Sequence, residues 1–243
     1  MAAIVEVLSS VDILIQRATT LVIEQLKTAI TDRGIGTLVL SGGSTPKPLY
    51  AALAQASLPW EKIHFFWGDE RYVPVEHPDS NQGMTRQVLL NHIPIPSENI
   101  HAMPTASGDP AMDAADHEAH LRSFFKMSSH LPTFDLILLG LGDDGHTASL
   151  FPYTDALAVN DRWVTVGNKD GQPRLTFTIP LINQARSILF LVAGANKQPA
   201  LKAIFQDGDT ELDRQYPARF IRPQGECHWL LDAAAGQAIQ PQL

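Results

Sequence analysis

Apolar residues along the chain form short runs with the length and composition of buried strands. The three clearest runs are residues 37–40, 63–67 and 135–139, and each ends in glycine-rich or charged residues. Parallel sheets bury both faces of their strands, so such strands are apolar at every position rather than at alternate ones. We therefore predict a core sheet built on these three runs. Further strands are predicted at residues 4–8, 163–166, 174–179, 187–192 and 227–231.

The segments between these runs have apolar residues at helical spacing. Apolar residues recur at the spacing of one helix face from Ile15 to Ile30, and Gly34 is well placed to end that helix. Strands that alternate with helices predict right-handed crossovers and a mostly parallel sheet. We expect one α/β domain over residues 1–243, doubly wound and Rossmann-like, with helices on both faces. The other helices are predicted at residues 47–56, 81–92 after a cap at Ser80, 111–126 after Asp109 and Pro110, and 198–205.

The composition is that of an acidic globular protein with enough apolar residues for a full core. Of 243 residues, 44% are hydrophobic, and the formal net charge is −8. This balance excludes a general attraction to nucleic acid or to an anionic membrane. A phosphorylated ligand must therefore be bound by local groups.

The cysteine content and the N-terminal residues favour the cytoplasm. Cys227 is the only cysteine, which excludes an internal disulfide framework and a cysteine zinc site, and we expect it to be buried. Residues 1–20 lack the basic start and unbroken apolar core of a secretion signal. No stretch approaches the roughly 20 apolar residues that a membrane span needs.

Open α/β sheets bind ligands at the carboxyl ends of their strands, so the loops that follow the three core strands are the candidate ligand sites. The first of these loops, residues 41–47, has the sequence SGGSTPK. Gly42 and Gly43 let the backbone approach a ligand closely, and Ser44 and Thr45 add hydroxyl donors, so the loop suits a phosphate. The alternative is that Ser44 or Thr45 only caps the next helix. The loop lacks a Walker lysine, a Gly-x-Gly-x-x-Gly pattern and the closing glycine of a nucleophile elbow.

Two acids and an arginine, Asp69, Glu70 and Arg71, follow the second core strand. The planar guanidinium of an arginine binds phosphate or carboxylate oxygens in two contacts, whereas the acids can orient it or bind sugar hydroxyls. The alternative is an exposed turn with an internal ion pair. Asn81 either lines the same pocket or serves, with Ser80, only to cap a helix.

The third core strand ends in the strongest signal, GLGDDGHTAS at residues 140–149. Histidine is the side chain that most often serves as a general base, so His146 can take a proton from water. A neighbouring carboxylate, Asp144 in preference to Asp143, can fix the tautomer of the ring and stabilise the imidazolium, as in a triad without its serine. The glycine amides of this loop are expected to bind an oxyanion.

A metal site is less well supported than this base. No second histidine or cysteine lies at ligand spacing from His146, and His117 and His120 are three positions apart rather than the four of zinc proteases. We expect both of the latter to be surface residues of a helix. Arg174 and Lys197 are two further cations near strand ends, where each can reach a phosphate or can be an ordinary surface charge.

Together these segments resemble the 6-phosphogluconolactonase family, in the family's order and over most of the chain. The resemblance implies hydrolysis of 6-phospho-D-glucono-1,5-lactone, the second step of the oxidative pentose phosphate pathway, without a metal or an organic cofactor. The phosphorylated lactone is the implied partner, and the chain is expected to be a monomer or a small homo-oligomer. The motifs that carry the resemblance are residues 41–46 (SGGSTP), 69–74 (DERYVP), 80–81 (SN), 142–152 (GDDGHTASLFP) and 174–176 (RLT).

By position, the resemblance also implies a role for each candidate residue. His146 looks like the base that activates water for attack on the lactone carbonyl, and Asp69 and Asp144 resemble the groups that orient substrate and base. A further set of residues resembles the positions that bind the phosphate and the rest of the substrate in the family. These residues are Gly42, Gly43, Ser44, Thr45, Arg71, Asn81, Arg174 and Lys197.

Two other functions remain open. Sugar-phosphate isomerases of the glucosamine-6-phosphate deaminase type share the glycine loop and the Asp-Gly-His segment. Their second-loop acid is followed by Glu-Tyr, where this chain has Glu70 and Arg71, and their third loop ends in Phe-Asn-Glu-Pro rather than in SLFP at residues 149–152. A non-catalytic sugar-phosphate sensor would need the clamp but neither His146 nor Asp144.

Overall fold

The computed structural model describes residues 3–127, 129–206, 211–237 and 239. Its centre is a seven-stranded sheet in which every pair of neighbouring strands is parallel, in the order β1-β10-β9-β6-β2-β3-β5. This confirms the predicted α/β class. The strands are β1 (Ile4–Leu8), β2 (Gly36–Leu40), β3 (Ile63–Trp67), β4 (Asp69–Arg71), β5 (Ile100–His101), β6 (Leu136–Leu139), β7 (Val164–Lys169), β8 (Gln172–Phe177), β9 (Ser187–Val192) and β10 (Glu226–Asp232).

The predicted helices are present, and two of them are shorter than expected. The helix predicted over residues 47–56 ends at Leu53, and that over 81–92 ends at Val88, because Leu89 leaves the helical region (φ −134°) and one 3-10 turn follows. The predicted caps at Ser80, Asp109 and Gly34 are confirmed. The helices are α1 (Val11–Arg33), α2 (Lys47–Leu53), α3 (Asn81–Val88), α4 (Pro110–Phe125), α5 (Ile179–Asn183), α6 (Gln198–Ile204), α7 (Glu211–Gln215) and α8 (Ala233–Gly236).

The core sheet is covered on both faces, which explains why its central strands are predominantly apolar. Along β2, Leu38 and Leu40 belong to an apolar cluster that includes side chains of α1 and α2, whereas Val39 belongs to a second cluster, which includes side chains of α4, α5, α6 and α8. Successive side chains of a strand point to opposite faces, so each position must be apolar when both faces are buried. Cys227 is buried, as predicted.

A second, three-stranded antiparallel sheet in the order β4-β8-β7 flanks the core sheet. The sequence predicted strands near β7 and β8 but not this separate sheet, and it predicted that residues 69–71 form a loop. Only Gly68 separates β3 from β4, and its carbonyl accepts a hydrogen bond from Phe177 N (2.8 Å). The chain therefore passes directly from one sheet into the other at the carboxyl end of β3.

Strand order brings the predicted functional loops together. Strands β9, β6, β2 and β3 are consecutive neighbours in the core sheet, so the loops that follow their carboxyl ends share one edge. Three of these loops were singled out from the sequence, and the fourth follows Val192. The described part of the chain contains no helix whose length and hydrophobicity would let it cross a bilayer.

Candidate active site

A cleft of about 230 Å³ lies at this shared edge. It brings together all the predicted site residues except Asp144, which instead contacts one of the lining side chains, that of His146. The lining residues named in the sequence analysis are Gly42, Gly43, Ser44, Thr45, Asp69, Arg71, Asn81, His146, Arg174 and Lys197.

The glycine loop presents bare backbone to the cleft. Gly43 has φ +96°, and a Cβ atom at Gly42 would overlap the side chain of Asn81. Among the described residues, the N–H groups of 42–45 donate to no protein acceptor. The N-cap of α2 is Pro46 and no side chain caps this helix, so the alternative in which Ser44 or Thr45 is the cap is wrong.

Buried polar contacts hold the ends of β2 and β3 in place. The hydroxyl of Tyr50 accepts a hydrogen bond from Ser41 N (2.9 Å) and donates one to Ser41 O (2.7 Å), which anchors the start of the glycine loop. Asn81 Nδ2 donates to the backbone oxygen of Asp69 (2.9 Å). The side chain of Asn81 thus contacts both loops, in addition to its place at the start of α3.

Glu70 and Ser149 were named from the sequence, but the structural roles that they have here were not predicted. Glu70 is buried, and its carboxylate accepts hydrogen bonds from the N–H groups of Asn81 (2.7 Å) and Gln82 (2.7 Å) at the start of α3. Burial raises the pKa of Glu70, and these backbone hydrogen bonds oppose that shift. Ser149 Oγ donates to Asp69 Oδ2 (2.6 Å). The sequence named Glu70 as an acid three residues after a core strand, whereas its burial and its contacts with α3 are visible only in the structure.

Arg71 and Arg174 are register partners on β4 and β8. Arg71 Nη1 donates to the backbone oxygen of Asp79 (2.6 Å), and the buried Nε atoms of both arginines have no partner among the described residues. The predicted alternative, an exposed turn with an ion pair inside residues 69–71, is wrong. Burial, together with the neighbouring charge of Arg71, lowers the pKa of Arg174.

His146 and Asp144 form a close pair. Asp144 Oδ1 lies 2.5 Å from His146 Nδ1 and also accepts a hydrogen bond from His146 N (3.0 Å). Burial would raise the pKa of Asp144, but the hydrogen bonds from His146 outweigh that effect and lower it to about 2. The carboxylate is therefore ionised at neutral pH, which favours a proton on Nδ1 and leaves Nε2 as the basic nitrogen. The ring packs against Phe151, with the two ring centroids 4.4 Å apart.

The loop after β6 uses two of its own amides internally. Gly142 N donates to His146 O (2.8 Å), and Gly145 N donates to Gly142 O (3.0 Å). The expectation that the glycine amides of this loop bind an oxyanion is thus wrong for Gly142 and Gly145. Asp143 points to another partner, because its Oδ1 lies 2.5 Å from Lys197 Nζ.

The pair His117 and His120 is not a surface pair. His120 is exposed, but His117 is buried and stacks near Phe177 (6.4 Å between ring centroids), so the prediction for His117 is wrong. Burial and the neighbouring histidines lower its pKa to about 3. Within the described ranges, no group of three or more histidine, cysteine, aspartate or glutamate side chains is arranged to hold a metal ion.

Known proteins resemble this chain over nearly its whole length. A 6-phosphogluconolactonase from Synechocystis sp. is 63% identical over 99% of this chain and 100% of the relative. One from Nostoc sp. is 57% identical over 97% of this chain and 98% of the relative. The solved structure of the 6-phosphogluconolactonase from Trypanosoma cruzi superposes with a TM-score of 0.87 at 29% identity, covering 98% of this chain and 97% of that one.

The match to a family model covers the fold and the cleft together. The model described as "Glucosamine-6-phosphate isomerases/6-phosphogluconolactonase" matches residues 9–229, a range that includes every strand except β1 and part of β10 and every residue that lines the cleft. This chain therefore belongs to the glucosamine-6-phosphate isomerase/6-phosphogluconolactonase family.

Proposed function

We propose that this chain is an enzyme that hydrolyses 6-phospho-D-glucono-1,5-lactone to 6-phospho-D-gluconate, in the oxidative pentose phosphate pathway. The names of two close relatives, 6-phosphogluconolactonases at 63% and 57% identity, support this reaction. The observation that carries the proposal is that one cleft holds a carboxylate-bound histidine together with two arginines that pair with no carboxylate among the described residues.

His146 acts as the general base. Its Nε2 takes a proton from a water molecule, whose oxygen adds to the lactone carbonyl carbon. The tetrahedral alkoxide then collapses, the bond from this carbon to the ring oxygen breaks, and the imidazolium returns its proton to that oxygen. Asp144 holds the ring by Nδ1 and stabilises the imidazolium through both steps.

The phosphate lies at the other end of the cleft, against N–H donors several of which, including the Nε atoms of Arg71 and Arg174, have no acceptor among the described residues. The free N–H groups of residues 42–45 and the guanidinium groups of Arg71 and Arg174 supply these donors, with Lys197 as a further cation. Charge-assisted hydrogen bonds of this kind are roughly twice as strong as neutral ones. Anchoring the phosphate orients the lactone carbonyl towards His146.

Asp69 and Asn81 orient the sugar between these two ends. Both side chains line the cleft, and Ser149 and the backbone oxygen of Asp69 hold them in place. A carboxylate and an amide oxygen are suitable acceptors for sugar hydroxyls. No residue in this scheme requires a metal or an organic cofactor.

A coupled assay tests the reaction. Purified protein is mixed with freshly prepared lactone, and the product is oxidised by an NADP-linked dehydrogenase, with the uncatalysed opening subtracted. We expect turnover that falls roughly 10²–10⁴-fold in His146→Ala. Release of ammonia from glucosamine 6-phosphate without lactone opening would instead identify a deaminase, and binding of 6-phosphogluconate without turnover would identify a sensor.

We further propose that the chain acts as a single domain in the cytoplasm, as a monomer or a small homo-oligomer. Support for one domain comes from the two apolar clusters, which share the strands of one core sheet. Support for a reducing compartment comes from the free, buried Cys227. Limited proteolysis and light scattering of the purified protein test the domain organisation and the oligomeric state.

A further inference from the structure

Lys197 differs from the other cations of the cleft in its resting partner. Its Nζ lies 2.5 Å from Asp143 Oδ1, and the same oxygen accepts a hydrogen bond from Asn196 Nδ2 (2.8 Å). Arg71 and Arg174 form no ion pair among the described residues. Of the three cleft cations, Lys197 is therefore the one whose charge is already neutralised by a carboxylate.

Lys197 and Asp143 differ in solvent exposure, and this difference favours the exchange of Asp143 for a bound anion as the partner of Lys197. The side chain of Lys197 is only 18% exposed and lines the cleft, whereas that of Asp143 is 64% exposed. If Lys197 turns to a bound anion, Asp143 is left in water, where an unpaired carboxylate has little cost. Since Asp143 is so exposed, its pair with Lys197 is also weak enough to be broken by a bound phosphate.

The position of Asp143 links this exchange to the base. Asp143 and Asp144 are adjacent residues of one turn, and the hydrogen bond from Gly145 N to Gly142 O (3.0 Å) closes that turn. One carboxylate holds Lys197 and the next holds His146. The contact thus connects the loop after β9 with the loop that carries the base.

We propose that Asp143 is a positioning residue that holds Lys197 at the cleft and competes with the anionic ligand for it, thereby weakening product binding. This inference rests on the proposed function for the identity of the ligand. Hydrolysis adds a carboxylate to a product that already carries a phosphate, so the product is more anionic than the lactone and is bound more tightly by unpaired cations. Competition from Asp143 opposes that gain and speeds product release.

The test compares the affinity for 6-phosphogluconate in four proteins: the unaltered chain, Asp143→Asn, Lys197→Ala and the double variant. Asparagine keeps an oxygen for Asn196 but removes the charge. From the strength of exposed ion pairs, Asp143→Asn is expected to lower the Kd in titration calorimetry by roughly two- to fivefold. Lys197→Ala raises the Kd, and in that background Asp143→Asn has no effect.

A control separates this competition from a general field effect. Asp79→Asn removes the same charge near the arginines, so its effect on Kd is expected to be equal with and without Lys197. The inference is overturned if Asp143→Asn leaves the Kd unchanged, raises it, or lowers it equally in the Lys197→Ala background. Asp143→Ser, a second neutral variant, must give the same result as Asp143→Asn.

Calorimetry with the product needs no turnover, so the two proposals fail separately. An unaltered chain that binds 6-phosphogluconate but opens no lactone would overturn the proposed function and leave the competition measurable. If Lys197→Ala leaves the Kd unchanged, Lys197 does not bind the ligand and the competition is refuted, whatever the lactonase rate. Kinetics add a second readout: Asp143→Asn is expected to strengthen inhibition by 6-phosphogluconate by the same factor.

Discussion

Arg71 and Arg174 lie directly opposite each other on the antiparallel strands β4 and β8, and neither forms an ion pair with a carboxylate among the described residues. Like charges on facing positions of a sheet destabilise it. The pKa of Arg174 is lowered by burial and by Arg71, which shows that both effects disfavour the charged form. An anionic ligand bound by both guanidinium groups, as proposed above, would offset this cost.

Removing one of these arginines separates ligand binding from folding. We expect Arg174→Ala to weaken binding of 6-phosphogluconate by roughly 10- to 150-fold, the range for a hydrogen bond to a charged group. The Tm of the ligand-free protein should not fall, because the repulsion with Arg71 is relieved. Titration calorimetry and thermal melting measure the two effects. A lower Tm with unchanged affinity would show that Arg174 is a purely structural residue.

The contact between Asp144 and His146 predicts a loss of rate rather than of affinity. In Asp144→Asn, the amide no longer stabilises the imidazolium, so we expect kcat to fall roughly 10²–10⁴-fold with little change in KM. Asp143→Asn, on the same turn, is the matched control and should keep kcat within a few-fold. Because the pKa of Asp144 is about 2, its carboxylate stays ionised down to about pH 3. The loss of kcat in Asp144→Asn should therefore be visible at every assay pH above 5, where the unaltered chain keeps this charge.

The effect of Gly43→Ala on substrate affinity can be separated from its effect on the stability of the fold. Gly43 (φ +96°) and Gly108 (φ +86°) both adopt left-handed backbone, and the space that a Cβ would occupy is open at each. Replacing either by alanine should destabilise the fold by a similar amount, about 1–2 kcal/mol. Only Gly43→Ala should raise KM, because Gly43 lines the cleft and Gly108 does not. Equal KM values for the two variants would argue against the glycine loop as a ligand site.

We expect the fold to lose stability in acid, because it buries histidine side chains. The pKa values of His101 and His117 are lowered to about 3, by burial first and then by neighbouring histidines. Below the usual value of 6.5 the unfolded chain therefore binds more protons than the folded one. The free energy of unfolding should fall by about 1.4 kcal/mol per pH unit for each histidine as the pH drops from about 6.5 towards 3.

Denaturant titrations between pH 7 and pH 4 measure that slope. His117→Phe removes one buried imidazole and should make the slope shallower, whereas His130→Phe, at an exposed histidine, should leave it unchanged. Identical slopes in the unaltered chain and in His117→Phe would show that His117 does not carry the acid sensitivity.

The predicted elements agree with the structure wherever local pattern decides the outcome. Strand β3 and strand β9 occupy the predicted residues, and Gly34 ends α1 in the left-handed conformation expected of it. The loops after β2, β3 and β6 were identified because apolar runs stop there and polar, glycine-rich residues follow. His117 was misplaced because a histidine on a helix face has no local signature that separates a buried from an exposed position.

The amino-acid sequence by itself determined the α/β class, the alternation of strands and helices, and the loops that line the cleft, because hydrophobic periodicity and glycine placement act over a few residues. Tertiary structure alone decided which side chains meet. Ser149 reaches Asp69 across 80 positions, and Lys197 reaches Asp143 across 54. The facing of Arg71 and Arg174 depends on the register of a second sheet. Such contacts follow from how distant segments pair and pack, and no local pattern of residues records that pairing.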